Sequence, residues 1–172
     1  YYTRPLGTPQ VASVKLDIMS SEHIVRPTVL QKIVHVYPDE LPGHGTVRCY
    51  SFEEVFAEKI RAMGERGRPR DLYDIVNLFR RRDLRQAPAV IRQTLIEKCQ
   101  TKGVNIPTFV AIQAGSIYAE LESEWANMLA HQLPALPPLK DFWEELPRLF
   151  AWLDGTAAEE TALESMPIGT GE

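Results

Sequence analysis

Cysteine is scarce in this 172-residue chain: there are two, Cys49 and Cys99, far apart and without metal-type spacing. That excludes a disulfide scaffold and a thiolate zinc site, and suits a reducing cytoplasm. Histidine is nearly as rare. His23 stands alone, and His35 and His44 have no carboxylate or cysteine at ligand spacing, so no histidine metal centre is expected. No apolar run approaches the roughly 20 residues of a membrane-spanning helix, and no basic-then-apolar stretch marks a secretory start. The expectation is a cytoplasmic protein without membrane contact. No internal repeat is present. The first residue is Tyr1 rather than Met, so the expectation is a trimmed chain or a longer native product.

The length is a prior for one domain with or without an appendage, and the 44% apolar content allows a real core. The formal net charge of -4 hides an asymmetry. Nine Lys and Arg lie between Lys59 and Arg85 against four acids, whereas from Val104 onward only Lys140 and Arg148 face eleven acids. A basic middle suits an anionic partner, a nucleotide phosphate or an RNA backbone. Its plainer reading is a solvated helix face, and Arg80-Arg81-Arg82 fits that reading at a helix C-terminus, where cations are stabilised.

The richest stretch is Ser51 to Phe79. Ser51 with Glu54 three positions on forms the capping-box pattern. At about 100° per residue, Phe52, Val55, Phe56, Ile60, Ala62 and Met63 share one stripe. Lys59 falls inside it, while Glu53, Glu54, Glu58 and Arg61 fall off it. An ammonium on a core-facing stripe either snorkels to water or meets an anion. Gly67 and Pro69 separate this helix from a second, with Leu72, Ile75, Val76 and Phe79 as its stripe. Asp71 edges into that stripe and Asp74 faces further out, which makes Asp71 the expected partner of Lys59.

These residues carry a resemblance. The run Glu53 to Ala62, A-E-K-x-x-A at its centre, followed by Arg66-x-x-x-Arg70-Asp71-Leu72-Tyr73-Asp74, resembles the signature of the AbiEii/AbiGii nucleotidyltransferase-like toxins of toxin–antitoxin and phage-abortive systems. The likeness reaches back through Tyr37-Pro38-Asp39 to Val14-Lys15-Leu16-Asp17-Ile18, covering residues 9–85 well. It implies transfer of a nucleotide from a nucleoside triphosphate to an RNA acceptor, tRNA by expectation, with Mg²⁺ as cofactor. It further implies that Lys59 contacts phosphate and that Asp71 activates the acceptor or orients Lys59. Arg66 and Arg70 would line the nucleotide or RNA path, Asp17 would be a metal carboxylate, and the obligate partner would be a cognate antitoxin.

One family element has no counterpart here. A Gly-Ser turn followed by an Asp-x-Asp strand should precede Asp17, and nothing there fits. Gly115-Ser116 with Glu120-Leu121-Glu122 has the wrong gap and reads as helix. The expectation is therefore a chain inactive by itself.

Strands are expected at residues 10–19, 31–37 and 46–50. A helix is expected over 88–102, another from Pro107 past Gly115 to about Ala130, and a last one over 141–153, bent or restarted at Pro147. The fold class is α+β: residues 1–50 as part of a nucleotidyltransferase sheet of about three strands, 51–154 as a helical domain, and 155–172 as an acidic tail. An incomplete sheet leaves an edge open to self-association. The alternative from another class is a non-catalytic helical module that binds RNA or a protein partner through the basic 59–85 region.

Overall fold

The computed structural model describes residues 2–3, 11–12, 16, 18, 22–34, 43, 45–83 and 88–156. Four short strands precede seven helices: β1 (Tyr2–Thr3), β2 (Val11–Ala12), β3 (Val29–Lys32) and β4 (Thr46–Cys49). The helices are α1 (Phe52–Arg66), α2 (Pro69–Arg80), α3 (Pro88–Lys102), α4 (Phe109–Ala114), α5 (Ile117–Leu129), α6 (Leu139–Trp143) and α7 (Leu146–Leu153). The α+β class holds, with helix predominating.

The expected three-stranded sheet is not found among the described residues. Instead β1 pairs with β2 and β3 with β4, as two separate antiparallel pairs. Of the expected strand over 10–19, the described residues Val11 and Ala12 form β2, and Leu16 and Ile18 of its apolar row are exposed. Alternation shows which residues could share a face, but a strand also needs a neighbour to bond. The second strand lies at 29–32 rather than 31–37, in register with β4, Val29 opposite Cys49 and Lys32 opposite Thr46. Leu30, Ile33, Val34 and Val47 on and beside this pair are exposed. Asp17, His35, Tyr37 to Asp39, His44 and the tail from residue 157 lie outside the described residues.

The hydrophobic core is built by the helices. Phe56, Ile60 and Met63 of α1 meet Leu72, Ile75 and Val76 of α2, Ile91 and Leu95 of α3, and Leu146 and Leu149 of α7. Each such side chain, fully buried, contributes on the order of 1.5–3 kcal/mol of transfer free energy. Trp152 stacks on Phe56 and leans on Phe79, and Phe142 stacks on Tyr73 against Trp125. The Trp125 indole donates to the Pro137 carbonyl at 2.8 Å, satisfying its buried N–H.

Gly67 ends α1 in the left-handed region at φ 52° and returns its N–H to the Met63 carbonyl, so two residues suffice to start α2 at Pro69. Two expected helices are each divided. Residues 109–129 break at Gly115-Ser116, and the last helix stops at Trp143 and restarts at Leu146, with Pro147 in its first turn. A proline there lacks only an N–H the first turn would leave unbonded. Pro88 opens α3 and Gly103, at φ 65°, follows its end, as the sequence indicates.

Candidate functional site

Helices α1 and α2 place Lys59 where an anion can reach it. Its side chain is one-third exposed, and its ammonium lies 2.6 Å from an Asp74 carboxylate oxygen. The expected pairing with Asp71 is not what forms. Asp71, 1% exposed, accepts two hydrogen bonds from the Arg66 guanidinium, at 2.8 and 2.9 Å.

The reason is axial register. At about 1.5 Å per residue, Lys59 lies roughly 12 Å before Gly67, Asp71 only about 6 Å after it, and Asp74 about 10 Å after it. When the chain folds back on itself, Asp74 is nearly level with Lys59, whereas Asp71 stops several ångström short of it, within reach of the long Arg66 side chain at the turn. The fork of Arg66 suits a bidentate carboxylate contact, which raises the guanidinium pKa through Asp71's hydrogen bonds and keeps the Asp71 charge compensated in its buried seat.

Around the Lys59–Asp74 pair opens a cleft of about 500 Å³, lined by Val55, Lys59, Asp74, Asn77, Leu78, Arg80 and Arg81. Its lining carries three cations, Lys59, Arg80 and Arg81, each paired with an acid at or beside the rim: Asp74, Glu145 and Asp83. Of the residues singled out by sequence, only Lys59 lies on this lining. Arg66 is engaged by Asp71, and Arg70 is exposed and pairs with no acid among the described residues. Asp74, Asn77, Leu78 and Arg81 were legible as neighbours: they stand at i, i+3, i+4 and i+7, one face of a helix.

A second charged cluster went unforeseen. Glu54, expected to close a reciprocal capping box, is 1% exposed and turns elsewhere, although Ser51 does accept from the Glu54 N–H at 3.2 Å. Its carboxylate accepts backbone N–H groups of Val25 (3.2 Å) and Arg26 (2.9 Å) and lies 2.7 Å from the Lys98 ammonium. Lys98 also reaches Glu58 at 3.2 Å.

Arg61, expected on the outer face, is instead buried between Glu58 and Glu65. Burial draws the Lys98 pKa down, but the Glu54 hydrogen bond and the charges of Glu58 and Glu54 outweigh it, and the net shift is upward. Burial pushes Glu58 up, and Arg61 and Lys98 overcome it, so its carboxyl titrates below its usual range. The cluster borders a cleft of about 120 Å³ and joins the 22–26 segment, α1 and α3.

Each cation in this second cluster is matched by a carboxylate, so it reads as a tie between segments. The Lys59 cleft differs in exposure: Lys59, Arg80 and Arg81 are also paired, with Asp74, Glu145 and Asp83, but these pairs stand open to solvent where an incoming anion can compete for them. That cleft lies within the stretch matched by the family described as nucleotidyl transferase AbiEii toxin, type IV TA system, which covers residues 2–154. The chain belongs to the AbiEii toxin family. No curated protein and no solved structure matches it.

Membership makes this a nucleotidyltransferase-like toxin of a toxin–antitoxin system, with an antitoxin as partner. Among the described residues no helix is long and apolar enough to cross a membrane. Enzymes of this class are typically metal-dependent, so the donor set matters. Asp17 lies outside the described residues, and among these no three His, Cys, Asp or Glu gather around a possible cation position. Asp71 and Asp74 are each engaged by a cation of the chain. The described residues by themselves do not make a magnesium site.

Proposed function

We propose that this AbiEii-family chain contributes the phosphate-binding face of a nucleotidyltransferase that moves a nucleotide from a nucleoside triphosphate to an RNA acceptor, tRNA in the first instance. The observation that carries this reading is Lys59, held by Asp74 in a solvent-open cleft that Arg80 and Arg81 also line. An ammonium aimed by a carboxylate can bind a phosphate oxygen and stabilise the charge that develops on it during transfer. Asp74 takes the orienting role first assigned to Asp71. Asp71 acts from a distance, by fixing Arg66 at the turn between the two helices. Arg70 adds positive charge along the approach.

In the same reading a cognate antitoxin restrains the toxin in the cytoplasm, and the edges of β3 and β4, which pair with no further strand among the described residues, offer a route to self-association. Mg²⁺ belongs to the complete catalytic centre. The 172-residue sequence carries no Gly-Ser turn with a following Asp-x-Asp before Asp17, and the chain alone is therefore catalytically silent.

Two measurements test this. Incubation with Mg²⁺, labelled nucleoside triphosphates and tRNA should give no transfer by the isolated chain, and robust labelling would overturn the proposed silence. Titration calorimetry with ATP should show weakened binding for Lys59→Ala while the circular dichroism spectrum is unchanged. Equal affinity in wild type and variant would remove Lys59 from the site. The rival, a non-catalytic RNA- or protein-binding module, draws support from Arg80 and Arg81 on the cleft wall, outside the family motif. It expects Lys59→Ala to behave like any basic neighbour, with a small, salt-dependent loss.

A further inference from the structure

The cleft extends well past Lys59. At about 1.5 Å per residue, Arg80 and Arg81 lie on the order of 10 Å beyond Asp74 along α2, with Asn77 between. That is longer than the phosphate chain of a single nucleotide held at Lys59. Arg80 is not an idle surface arginine. Its guanidinium carbon sits 4.7 Å above the Phe142 ring, and it donates to Glu145 through Nε at 2.9 Å, so residues at the α6–α7 corner hold it in one posture at the cleft rim. Arg81 pairs with Asp83, but both are more than half exposed, and such a pair is readily exchanged for a phosphate. The Asn77 side-chain oxygen lies 3.5 Å from an Arg80 nitrogen, and its amide donates to the Tyr73 carbonyl, so it too is oriented.

We infer that Arg80, Arg81 and Asn77 form a separate subsite for backbone phosphates of a single-stranded RNA segment, continuing the groove that begins at Lys59. The inference rests on the reading of Lys59 as a phosphate contact and assigns the acceptor's path in that same cleft. Planar guanidinium groups suit phosphodiester oxygens, and their distance of roughly 10 Å from the Lys59–Asp74 level along the groove suits a strand laid lengthwise rather than a compact triphosphate. Glu145 tempers the subsite, since its carboxylate pairs with Arg80.

The test uses the full chain, with total tRNA and a non-hydrolysable ATP analogue as separate probes, across a salt series. Arg81→Ala should weaken tRNA binding roughly threefold to tenfold and flatten the log–log salt slope by about 0.7, the value for one lost single-strand phosphate contact. Its affinity for the ATP analogue should not change. Glu145→Gln should tighten tRNA binding and steepen the slope, an effect no loss of structure can imitate.

Unchanged tRNA binding by Arg81→Ala would overturn the subsite. An equal loss for both probes would overturn its assignment to RNA, and failure of Glu145→Gln to tighten binding would remove Arg80. Lys59→Ala read against the ATP analogue separates the two proposals: no effect there sinks the nucleotide reading, whereas no effect of Arg81→Ala on tRNA sinks this one.

Discussion

Replacing Lys98 by methionine isolates the tie between the 22–26 segment, α1 and α3. The Lys98 side chain is 4% exposed, and its ammonium faces Glu54 at 2.7 Å and Glu58 at 3.2 Å. Breaking a buried pair by removing one partner costs about 3–5 kcal/mol, because the remaining charge is left uncompensated. Here the remaining carboxylates keep other donors: Glu54 the N–H groups of Val25 and Arg26, Glu58 the Arg61 guanidinium. The cost should therefore fall at the low end, about 3 kcal/mol. In a domain of this size that is a fall in Tm of roughly 6–12 °C.

Urea and thermal unfolding followed by far-UV circular dichroism would measure it. The double variant Glu54→Gln/Lys98→Met leaves no charge buried without its partner, and should be more stable than the sum of the single effects by at least about 1 kcal/mol. A loss below about 1 kcal/mol for Lys98→Met, or strict additivity in the double variant, would refute the view of this cluster as a desolvated, mutually dependent unit.

The same cluster predicts a pH dependence at both ends. The Lys98 pKa is raised on folding, so its stabilisation is complete below the ammonium's ordinary pKa and is lost as pH rises through the folded value; Lys98→Met should lack that alkaline loss in a pH series of urea melts. The Glu58 pKa is lowered, so its contribution is present above the usual carboxylate range and vanishes as pH falls through the depressed value. Glu58→Gln should accordingly flatten the acid limb. Gly64→Ala should destabilise despite alanine's helix preference of about 1 kcal/mol, because a Cβ there would stand 2.3 Å from Pro107 Cγ; overpacking of this kind costs about 1–3 kcal/mol, and a rise in the urea midpoint would contradict it. Asp71→Ala should cost about 1.5–3 kcal/mol through loss of its charged hydrogen bonds to Arg66 at the turn, the half-exposed guanidinium turning to water, while leaving ATP affinity within twofold or so; a loss of affinity matching that of Lys59→Ala would return Asp71 to the cleft.

The sequence by itself determined the helical body and its punctuation. Ser51 opens α1, Gly67 closes it, Pro69 and Pro88 start the next two helices, and Gly103 follows the third, since caps, left-handed glycines and first-turn prolines act within a few residues of backbone. It also determined the family: the resemblance read from the run Glu53 to Asp74 agrees with the family match over residues 2–154.

The tertiary structure alone decided which charges meet. Lys59 chose Asp74 over Asp71 because the fold-back at Gly67 sets axial height, a quantity that helix-wheel angles do not contain. Glu54 left its capping box because a segment nearly thirty residues upstream offered two N–H donors, and α3 brought Lys98 to the same place. Strand pairing too was decided by the tertiary structure: among the described residues β3 pairs with β4 and β1 with β2, because apolar alternation marks a face whereas hydrogen bonding between strands requires a partner that periodicity cannot supply.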